Sequence, residues 1–487
     1  MAGLLDRERT VAGPGFNRWL FPPAALAIHL SIGMVYGLSV FWKPLTQALG
    51  ITKSIEGDWT LTQVNLTFAV GIFFLGSSAA VFGRWLERVG PRKAGVVAAF
   101  CWGGGFLIAA VGVRFHIIQL LWLGLGAVGG CGLGLGYISP VSTLIKWFPD
   151  RRGLATGMAI MGFGGGAMIG APLADILMKH FASPLSVGVW ETFAVLGLVY
   201  FLAMLAGAFG YRVPAPGWKP AGWTPPSTQQ AAQTSRHVHV DRAWRLPQFW
   251  FLWGVLFLNV TAGIGVLSLA SPMIQEIFGG RLIGVTAALA ELTTEQKAAV
   301  ASIAAGFTGL LSLASLVGRI GWSSLSDRLG RKPTYMIFFS LGAVLYATVP
   351  FAGRTGAVPL FVTLFVLILS MYGGGFAAIP AYLADKFGTA FVGAIHGRLL
   401  TAWSAAGLVG PAIVGYLRDW QLSHGVAAGD AYNTTMYILA GLLVAGFCCN
   451  LMVRPVAERH FMTEEELRRE GAVPSPHAPS TPMEAAR

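Results

Sequence analysis

The sequence predicts an all-α membrane protein with twelve transmembrane helices in two pseudo-symmetric six-helix bundles. Apolar residues make up 54% of the 487 residues and charged residues only 11%, against about 25% charged residues in an average soluble domain. About twelve apolar runs reach the roughly twenty residues needed to cross a hydrocarbon layer of about 30 Å. No alternating pattern typical of strands competes with these runs.

An internal repeat is the second observation behind this fold class. A similar loop follows one apolar run in each half of the chain: Glu87-Arg88-x-Gly90-x-Arg92-Lys93 and Asp327-Arg328-x-Gly330-Arg331-Lys332. The same spacing of about 240 residues pairs Gly153 with Gly393 and Gly157 with Gly397. Many secondary transporters are built from parallel repeats of this kind, with the functional site between the two copies.

The predicted helices follow from where each apolar run begins and ends. The first six cover residues 19–41, 63–82, 92–113, 118–144, 153–178 and 187–210. The second six cover residues 249–272, 299–324, 334–352, 358–383, 393–417 and 432–453. The predicted domains are an N-terminal tail over 1–18, a bundle over 19–210, a Pro-rich linker over 211–248, a bundle over 249–453 and a C-terminal tail over 454–487.

The basic residues predict how the chain is oriented. Most of the 34 lysines and arginines lie on the side of both termini, which the positive-inside rule assigns to the cytoplasm. The net charge of +12 therefore sets orientation and does not indicate nucleic-acid binding. We expect a multi-pass protein of the cell (inner) membrane, surrounded by lipid, with both termini cytoplasmic and without an obligate protein partner.

Catalytic and metal chemistry find little support in the sequence. The four cysteines lie inside apolar runs without metal-ligand spacing, and His237 and His239 lie in the polar linker, where solvated histidines are more common than a metal pair. The glycine pattern at 124–129 lies inside a span with no preceding strand, so it indicates helix packing and not a dinucleotide site. With no paired nucleophile and base, we predict no enzyme, no metal and no cofactor.

The loops after helices 2 and 8 resemble the signature of the major facilitator superfamily, and the resemblance covers about residues 19–453. Within it, WFPDRRG at 147–153 and PQFW at 247–250 resemble the oxalate/formate antiporter family of organic-anion carriers. This resemblance implies a secondary transporter that works by alternating access. It also implies that charged loop residues brace the two bundles: Glu87, Arg88, Asp327 and Arg328. Orientation alone is the alternative, because loop arginines satisfy the positive-inside rule whether or not they form a gate.

Arg319 is the sharpest chemical feature of the predicted helices. It lies eight residues before Asp327, about 12 Å along the helix axis and hence near mid-membrane. An arginine at that depth costs roughly 2.5–3.5 kcal/mol on insertion scales, so it normally faces a cavity and meets an anion. A substrate carboxylate matches its two parallel donors, and the resemblance places Arg319 at the family's substrate-binding arginine. A structural pair with a carboxylate of another helix is the alternative.

Further pocket residues follow from the resemblance. Tyr36 on helix 1 and Tyr137 on helix 4 align with pocket tyrosines of the oxalate carriers, and a packing role in the core is the alternative. The helix 11 position that carries a lysine in those carriers is Trp403 here, so a second cation is missing. Other aromatic positions of the family's pocket correspond to Phe41, Tyr372 and Phe376.

A single cation favours a substrate with a single negative charge. A dianion beside Arg319 would leave one carboxylate unpaired, which costs more than burying a neutral polar group. We expect monocarboxylates such as lactate, pyruvate or formate to pair with Arg319 and to set their carbon tails against Phe41, Phe376 and Trp403. An oxalate/formate-type exchanger is the alternative, and a transporter-like anion sensor is the alternative from another class.

Energy coupling is the least determined property. No acidic residue falls clearly mid-span, so proton symport would use a histidine or a proton on the substrate, whereas anion exchange needs no carrier residue. His396 and Arg398 begin helix 11 and are candidates for coupling or gating, as is Asp385, which Arg398 could meet. His396 and His29 are packing histidines in the alternative interpretation. We favour proton-coupled uptake.

Overall fold

The computed structural model describes residues 3–51, 53–215, 217–223 and 236–470. Twelve helices in these ranges are long and apolar enough to cross a membrane, which confirms the predicted fold class. They are α1 (Arg18–Leu45), α2 (Leu61–Val89), α3 (Pro91–Arg114), α4 (Ile118–Trp147), α5 (Arg152–Phe181), α6 (Val189–Gly210), α7 (Pro247–Ile283), α8 (Thr294–Leu329), α9 (Arg331–Thr355), α10 (Val358–Phe387), α11 (Val392–Ser423) and α12 (Asn433–Met452).

Several helices extend beyond the apolar runs because polar residues cap them. Thr60 and Gln63 form a capping box at the start of α2, and Thr293 and Gln296 form one at the start of α8. In each box the threonine oxygen and the glutamine side chain satisfy backbone amides that lack helical partners. The predicted starts at 63 and 299 were therefore too late.

The repeated loop has a backbone reason for its glycine. Gly90 caps the end of α2 with φ of 88°, and Gly330 caps the end of α8 with φ of 87°. A side chain rarely adopts this conformation, whereas glycine does so without a steric penalty. The next helix can thus begin at once, in the same way in both halves of the chain.

α1 is irregular in its middle. It is α-helical over Phe21–Ile32 and winds as a 3₁₀-helix over Gly33–Phe41. A 3₁₀ segment inside a long helix often marks a functional hinge. A β carbon at Gly33 would collide with the carbonyl of Phe163, because the backbones of α1 and α5 touch there.

The helices form two groups of six. In α1–α6 the main packing is of α3 on α6, α3 on α4 and α1 on α5, and in α7–α12 it is of α8 on α10, α7 on α11 and α9 on α12. We call these groups the first half and the second half. They meet along two seams, α5 against α8 and α2 against α11.

The α5–α8 seam is closed at one end only. We call the end that holds the linker and both tails the linker side, and the opposite end the far side. On the linker side Gly83 of α2 lies against the backbone of Ala394. The α5–α8 seam still holds at Gly165, but Met168, on the same face one turn further, is 50% exposed. No atom of the described residues lies within 4 Å of a β carbon built at Gly309 of α8, so α5 and α8 diverge toward the far side.

The described part of the linker crosses the linker side and joins both halves. Asp241 lies in a short helix, Val240–Ala243, and accepts hydrogen bonds from Arg398 of α11 and from Arg84 of α2. The Arg398 guanidinium beside Asp241 lowers the pKa of that carboxyl. The C-terminal segment folds back over the linker, where Glu458 pairs with Arg236. Residues 224–235 and 471–487 of the predicted linker and tail lie outside the described residues.

Candidate anion-binding site

Six aromatic rings and Arg319 meet between the two halves, on the linker side of the point where α5 and α8 diverge. The rings, which we call the aromatic cage, are Tyr36, Tyr137 and Phe163 of the first half and Tyr372, Phe376 and Trp403 of the second. All except Tyr36 are buried. The cage unites five predicted site residues with Phe163, which was not predicted.

Trp403 is the centre of this cage. It is 0% exposed, and its ring centroid lies 4.6 Å from that of Phe376, 5.2 Å from that of Phe163 and 5.3 Å from that of Tyr137. Such tilted and edge-to-face pairs each contribute about 0.5–1.5 kcal/mol beyond their buried area. The residue at the position of the missing lysine thus reaches the interface and ties α11 to α4 and α5.

Arg319 brings the only charge to this group of residues. It is 2% exposed, and it donates one hydrogen bond, of 2.7 Å, to the carbonyl of Ile160 on α5. Its guanidinium carbon lies 5.9 Å from the centroid of Phe376. In the described part of the chain no carboxylate pairs with it, and its Nε has no hydrogen-bond partner. The position of Arg319 leaves its charge available to an anion.

Gly164 makes room for this arginine. A β carbon at Gly164 would lie 3.0 Å from the guanidinium carbon and 3.2 Å from Nε of Arg319. Contacts that short force a neighbour to move. The flat guanidinium therefore lies directly on the backbone of α5, beside Phe163.

Two donors in the cage lack partners among the described residues, the hydroxyl of Tyr137 and the indole Nε1 of Trp403. The hydroxyls of Tyr36 and Tyr372 are close enough to bond to each other. The Arg319 charge is close enough to act on all three hydroxyls. An unsatisfied buried polar group costs about 1–3 kcal/mol, so two of them beside one cation indicate a site suited to donate to an anion.

Phe41 lies outside this cage, although the sequence analysis placed it in the pocket. Its ring is 4.6 Å from that of Phe193 on α6 and is 0% exposed. Residues share a helix face when they are three or four apart, and Phe41 is five residues from Tyr36. The 3₁₀ segment of α1 therefore directs Tyr36 into the cage and Phe41 into the core of the first half.

Two buried histidines flank Tyr137. The ring of His29 is 5.3 Å from that of Tyr137, and its Nδ1 lies 2.5 Å from the carbonyl oxygen of Ala159. His29 thus ties α1 to α5 within the first half. The ring of His396, from the second half, is 5.7 Å from that of Tyr137, and its Nε2 is buried without a partner.

Each repeated loop supplies one carboxylate that binds the opposite half. Glu87 of α2 accepts a 2.9 Å hydrogen bond from the amide of Gly393, and Asp327 of α8 accepts a 2.8 Å bond from the amide of Gly153. Asp327 also accepts from the amide of Leu154. These amides begin α11 and α5, where the helix dipole favours a negative charge. The two carboxylates close the seams on the linker side.

Other predicted gating residues have different partners from those expected. Asp385 of α10 pairs with Arg152 of α5 at 2.8 Å, so it also joins the halves. Arg398 does not meet Asp385, because it turns to Asp241 of the linker at 2.6 Å. Arg88 and Arg328 are exposed, and within the described ranges neither has an ion pair.

Sequence reasoning missed several functional candidates. Phe163 could have been found from the repeat, since the spacing of about 240 residues that pairs Gly153 with Gly393 also pairs Phe163 with Trp403. Arg152 lies in the WFPDRRG stretch, but its partner is distant in sequence. Asn259 of α7 is 6% exposed with an unpartnered Nδ2, and nothing in its apolar surroundings marked it. No group of three His, Cys, Asp or Glu side chains suited to a metal occurs in the described residues.

Known proteins agree with this architecture. The oxalate:formate antiporter of Oxalobacter formigenes is 26% identical over 460 residues, covering 92% of this chain and 96% of that protein. Apicoplast pyruvate carrier 1 of Toxoplasma gondii is 26% identical over 456 residues, covering 83% of this chain and 78% of that protein. The E. coli fucose:proton symporter structure has the same fold, with a TM-score of 0.63 and 14% identity over 90% of this chain and all of that one.

The family model of the Major Facilitator Superfamily matches residues 24–411 and 277–482 in two overlapping stretches. Together these stretches cover all twelve membrane-spanning helices except the start of α1. The chain is thus a multi-pass membrane transporter and not an enzyme, and it belongs to the Major Facilitator Superfamily.

Proposed function

We propose that this protein transports small monocarboxylates such as lactate, pyruvate or formate by alternating access, together with a proton. The observation that carries the proposal is the buried Arg319, which has no carboxylate partner among the described residues and is surrounded by unpartnered hydroxyl and indole donors. A carboxylate would accept from the guanidinium and from these donors at the same time. Charge-assisted bonds of this kind are roughly twice as strong as neutral ones.

The charge of the site favours one carboxylate over two. Among the described residues Arg319 is the one cation beside the aromatic cage, and Trp403 stands where a second would be needed. A dicarboxylate would therefore bury one charge without a partner, which is strongly unfavourable. The rings of Phe163, Phe376 and Trp403 are suited to contact a short carbon tail.

Alternating access would use the two halves, residues 19–210 and 249–453, as rocking units. The carboxylates of Glu87 and Asp327 hold the linker side closed on the helix starts of the opposite half. Opening would break these bonds and the Arg152–Asp385 pair together. With the linker side in the cytoplasm, as the positive-inside rule indicates, the present arrangement faces the outside of the inner membrane.

Anion exchange is the second candidate. It is favoured by the similarity to an oxalate:formate antiporter along nearly the whole chain. Exchange needs no proton site, because each half-cycle would carry one anion bound to Arg319. The two candidates differ in whether a proton gradient alone can drive accumulation.

Uptake into proteoliposomes tests the proposal directly. Purified protein would be assayed with labelled lactate, with and without an inwardly directed proton gradient, and with formate and oxalate as competitors. Arg319→Ala should lower uptake at least about 100-fold, since loss of one partner from a buried ion pair costs about 3–5 kcal/mol. The matched control is Arg354→Ala, an exposed arginine at the end of α9.

The outcomes separate the candidates. Gradient-driven lactate uptake that formate competes for supports proton-coupled monocarboxylate transport. Exchange that ignores the gradient, with oxalate as the better substrate, supports the exchanger. Lactate uptake that survives in Arg319→Ala contradicts the assignment of the site.

A further inference from the structure

We infer that His396 is the proton-binding site of this transporter, an inference that rests on the proposed function. His396 is 1% exposed and lies on α11, where the second half meets the first. Its Nε2 is buried without a hydrogen-bond partner, and its ring lies 5.7 Å from that of Tyr137. Tyr137 in turn contacts Trp403 at 5.3 Å. One residue thus separates the imidazole from the centre of the anion site.

The other titratable groups around His396 have partners of their own. From α2, Glu87 binds the amide of Gly393, and Arg84 binds Asp241 of the linker helix. From α4, Lys146 binds Glu87. From α10, Asp385 binds Arg152 and Arg331, and on α11 itself Arg398 binds Asp241.

Among the described residues, two groups then face His396 without an ionic partner, Tyr137 of α4 and His29 of α1. His29 is held at 2.5 Å by the carbonyl of Ala159, so its position is set within the first half. The free nitrogen of His396 therefore lies between the halves, where a group must be if opening of either side is to change its access to water.

A charge count gives the order of binding. With Arg319 alone the buried site carries one positive charge, and a bound monocarboxylate brings it to zero. A proton on His396 without the anion would place two positive charges in the same buried cluster, which repulsion disfavours. A proton that follows the anion restores a single positive charge. The anion thus binds first, and the proton second.

The proton step is a simple transfer. A proton from far-side water binds the lone pair of the neutral imidazole after the carboxylate has paired with Arg319. When the linker side opens, the seam between α11 and α2 separates, and the same proton leaves to water on that side together with the anion. One anion and one proton cross, and no oxidant or further reactant takes part.

Two assays on one preparation test this inference. We would compare wild type with His396→Gln, which keeps a polar side chain of similar size but takes no proton near neutral pH. His424→Gln is the matched control, because His424 is an exposed histidine at the far-side end of α11. In His396→Gln we expect gradient-driven pyruvate accumulation to fall at least about ten-fold, while one-for-one pyruvate exchange at equal pH stays measurable.

A linked proton also changes affinity. Because binding free energies are reciprocal, the affinity of wild type for pyruvate should rise by up to about ten-fold per unit of falling pH. His396→Gln should show a flat profile, and His424→Gln should follow wild type. Gradient-driven accumulation by His396→Gln at the wild-type level overturns the inference.

Different results would refute the proposed proton site and the proposed anion transport. If wild type exchanges pyruvate but no proton gradient drives it, the proton site is wrong and anion transport stands. If wild type moves no carboxylate by either assay, the proposed function itself is wrong.

Should the glutamine variant fail to fold, proton uptake by the wild-type protein in weakly buffered detergent decides the question. We expect close to one proton taken up per pyruvate bound. Binding without proton uptake at any pH overturns the inference.

Discussion

Replacing Trp403 with lysine tests the charge argument for substrate choice. Trp403 is 0% exposed and contacts rings from both halves, at 4.6 Å from Phe376 and 5.2 Å from Phe163. A lysine at this position would add a second cation within the cage that holds Arg319. We expect Trp403→Lys to shift the preference of the transporter from pyruvate toward oxalate.

The size of the shift follows from burial. An unpaired carboxylate at this position costs about 3–5 kcal/mol, the value for a buried pair that has lost one partner. That range corresponds to roughly 100-fold or more in relative affinity. Desolvation of the lysine itself offsets part of this gain. We therefore expect the ratio of oxalate affinity to pyruvate affinity to rise at least about ten-fold, but by less than the change expected from the carboxylate alone.

Loss of the indole is a separate effect that needs its own control. Removing a large buried aromatic side chain costs about 3–5 kcal/mol of stability in well-packed cores. Trp403→Met leaves an unbranched side chain of similar length to lysine without its charge. The oxalate-to-pyruvate ratio, measured by competition in proteoliposomes, should therefore rise in Trp403→Lys and not in Trp403→Met. Equal ratios in the two variants would refute the reasoning from charge.

Three further predictions concern the packing and the seams. Gly164→Ala should weaken pyruvate binding by at least about ten-fold by displacing Arg319. Gly165→Ala should not, since its β carbon would meet only ordinary contacts of 3.4 and 3.6 Å with two leucines. Asp327→Asn should favour opening of the linker side by about 1.5–3 kcal/mol, measured as thiol labelling of cysteines placed in the α5–α8 seam. In the same labelling assay, Asp241→Asn should change the free energy of opening by less than about 1 kcal/mol, because the ion pairs of Asp241 are half exposed.

The sequence predicted the architecture well because membrane helices are read from long apolar runs. The helix ends were less accurate, since α2 and α8 begin in polar capping boxes that hydropathy does not register. Arg319 was singled out as a candidate because an arginine so deep in an apolar helix is costly and therefore needs a reason.

The partners of the site residues were harder to predict. Phe41 was assigned to the pocket by resemblance, while the helical geometry of α1 sends it to Phe193. The Arg152–Asp385 pair joins residues far apart in the chain, and only the packing of α5 beside α10 brings them together. The resemblance located positions, but the direction of each side chain depends on local winding and on neighbours.

The repeat also explains why the seams are symmetric and the site is not. The spacing that maps Glu87 onto Asp327 maps Gly393 onto Gly153, so both seams close through a carboxylate on a helix start. It maps Arg319 onto Ala79, which is buried and cannot hold an anion.

This asymmetry determines which half of the protein would hold the charge of the substrate. The charge of a bound carboxylate would rest on the second half alone, while Tyr36, Tyr137 and Phe163 of the first half add neutral contacts. Rocking of the halves would then break hydroxyl and ring contacts to the substrate but keep its ion pair, if Arg319 binds it as proposed. A buried ion pair is expensive to break, so placing the only cation on one half lowers the cost of moving the other.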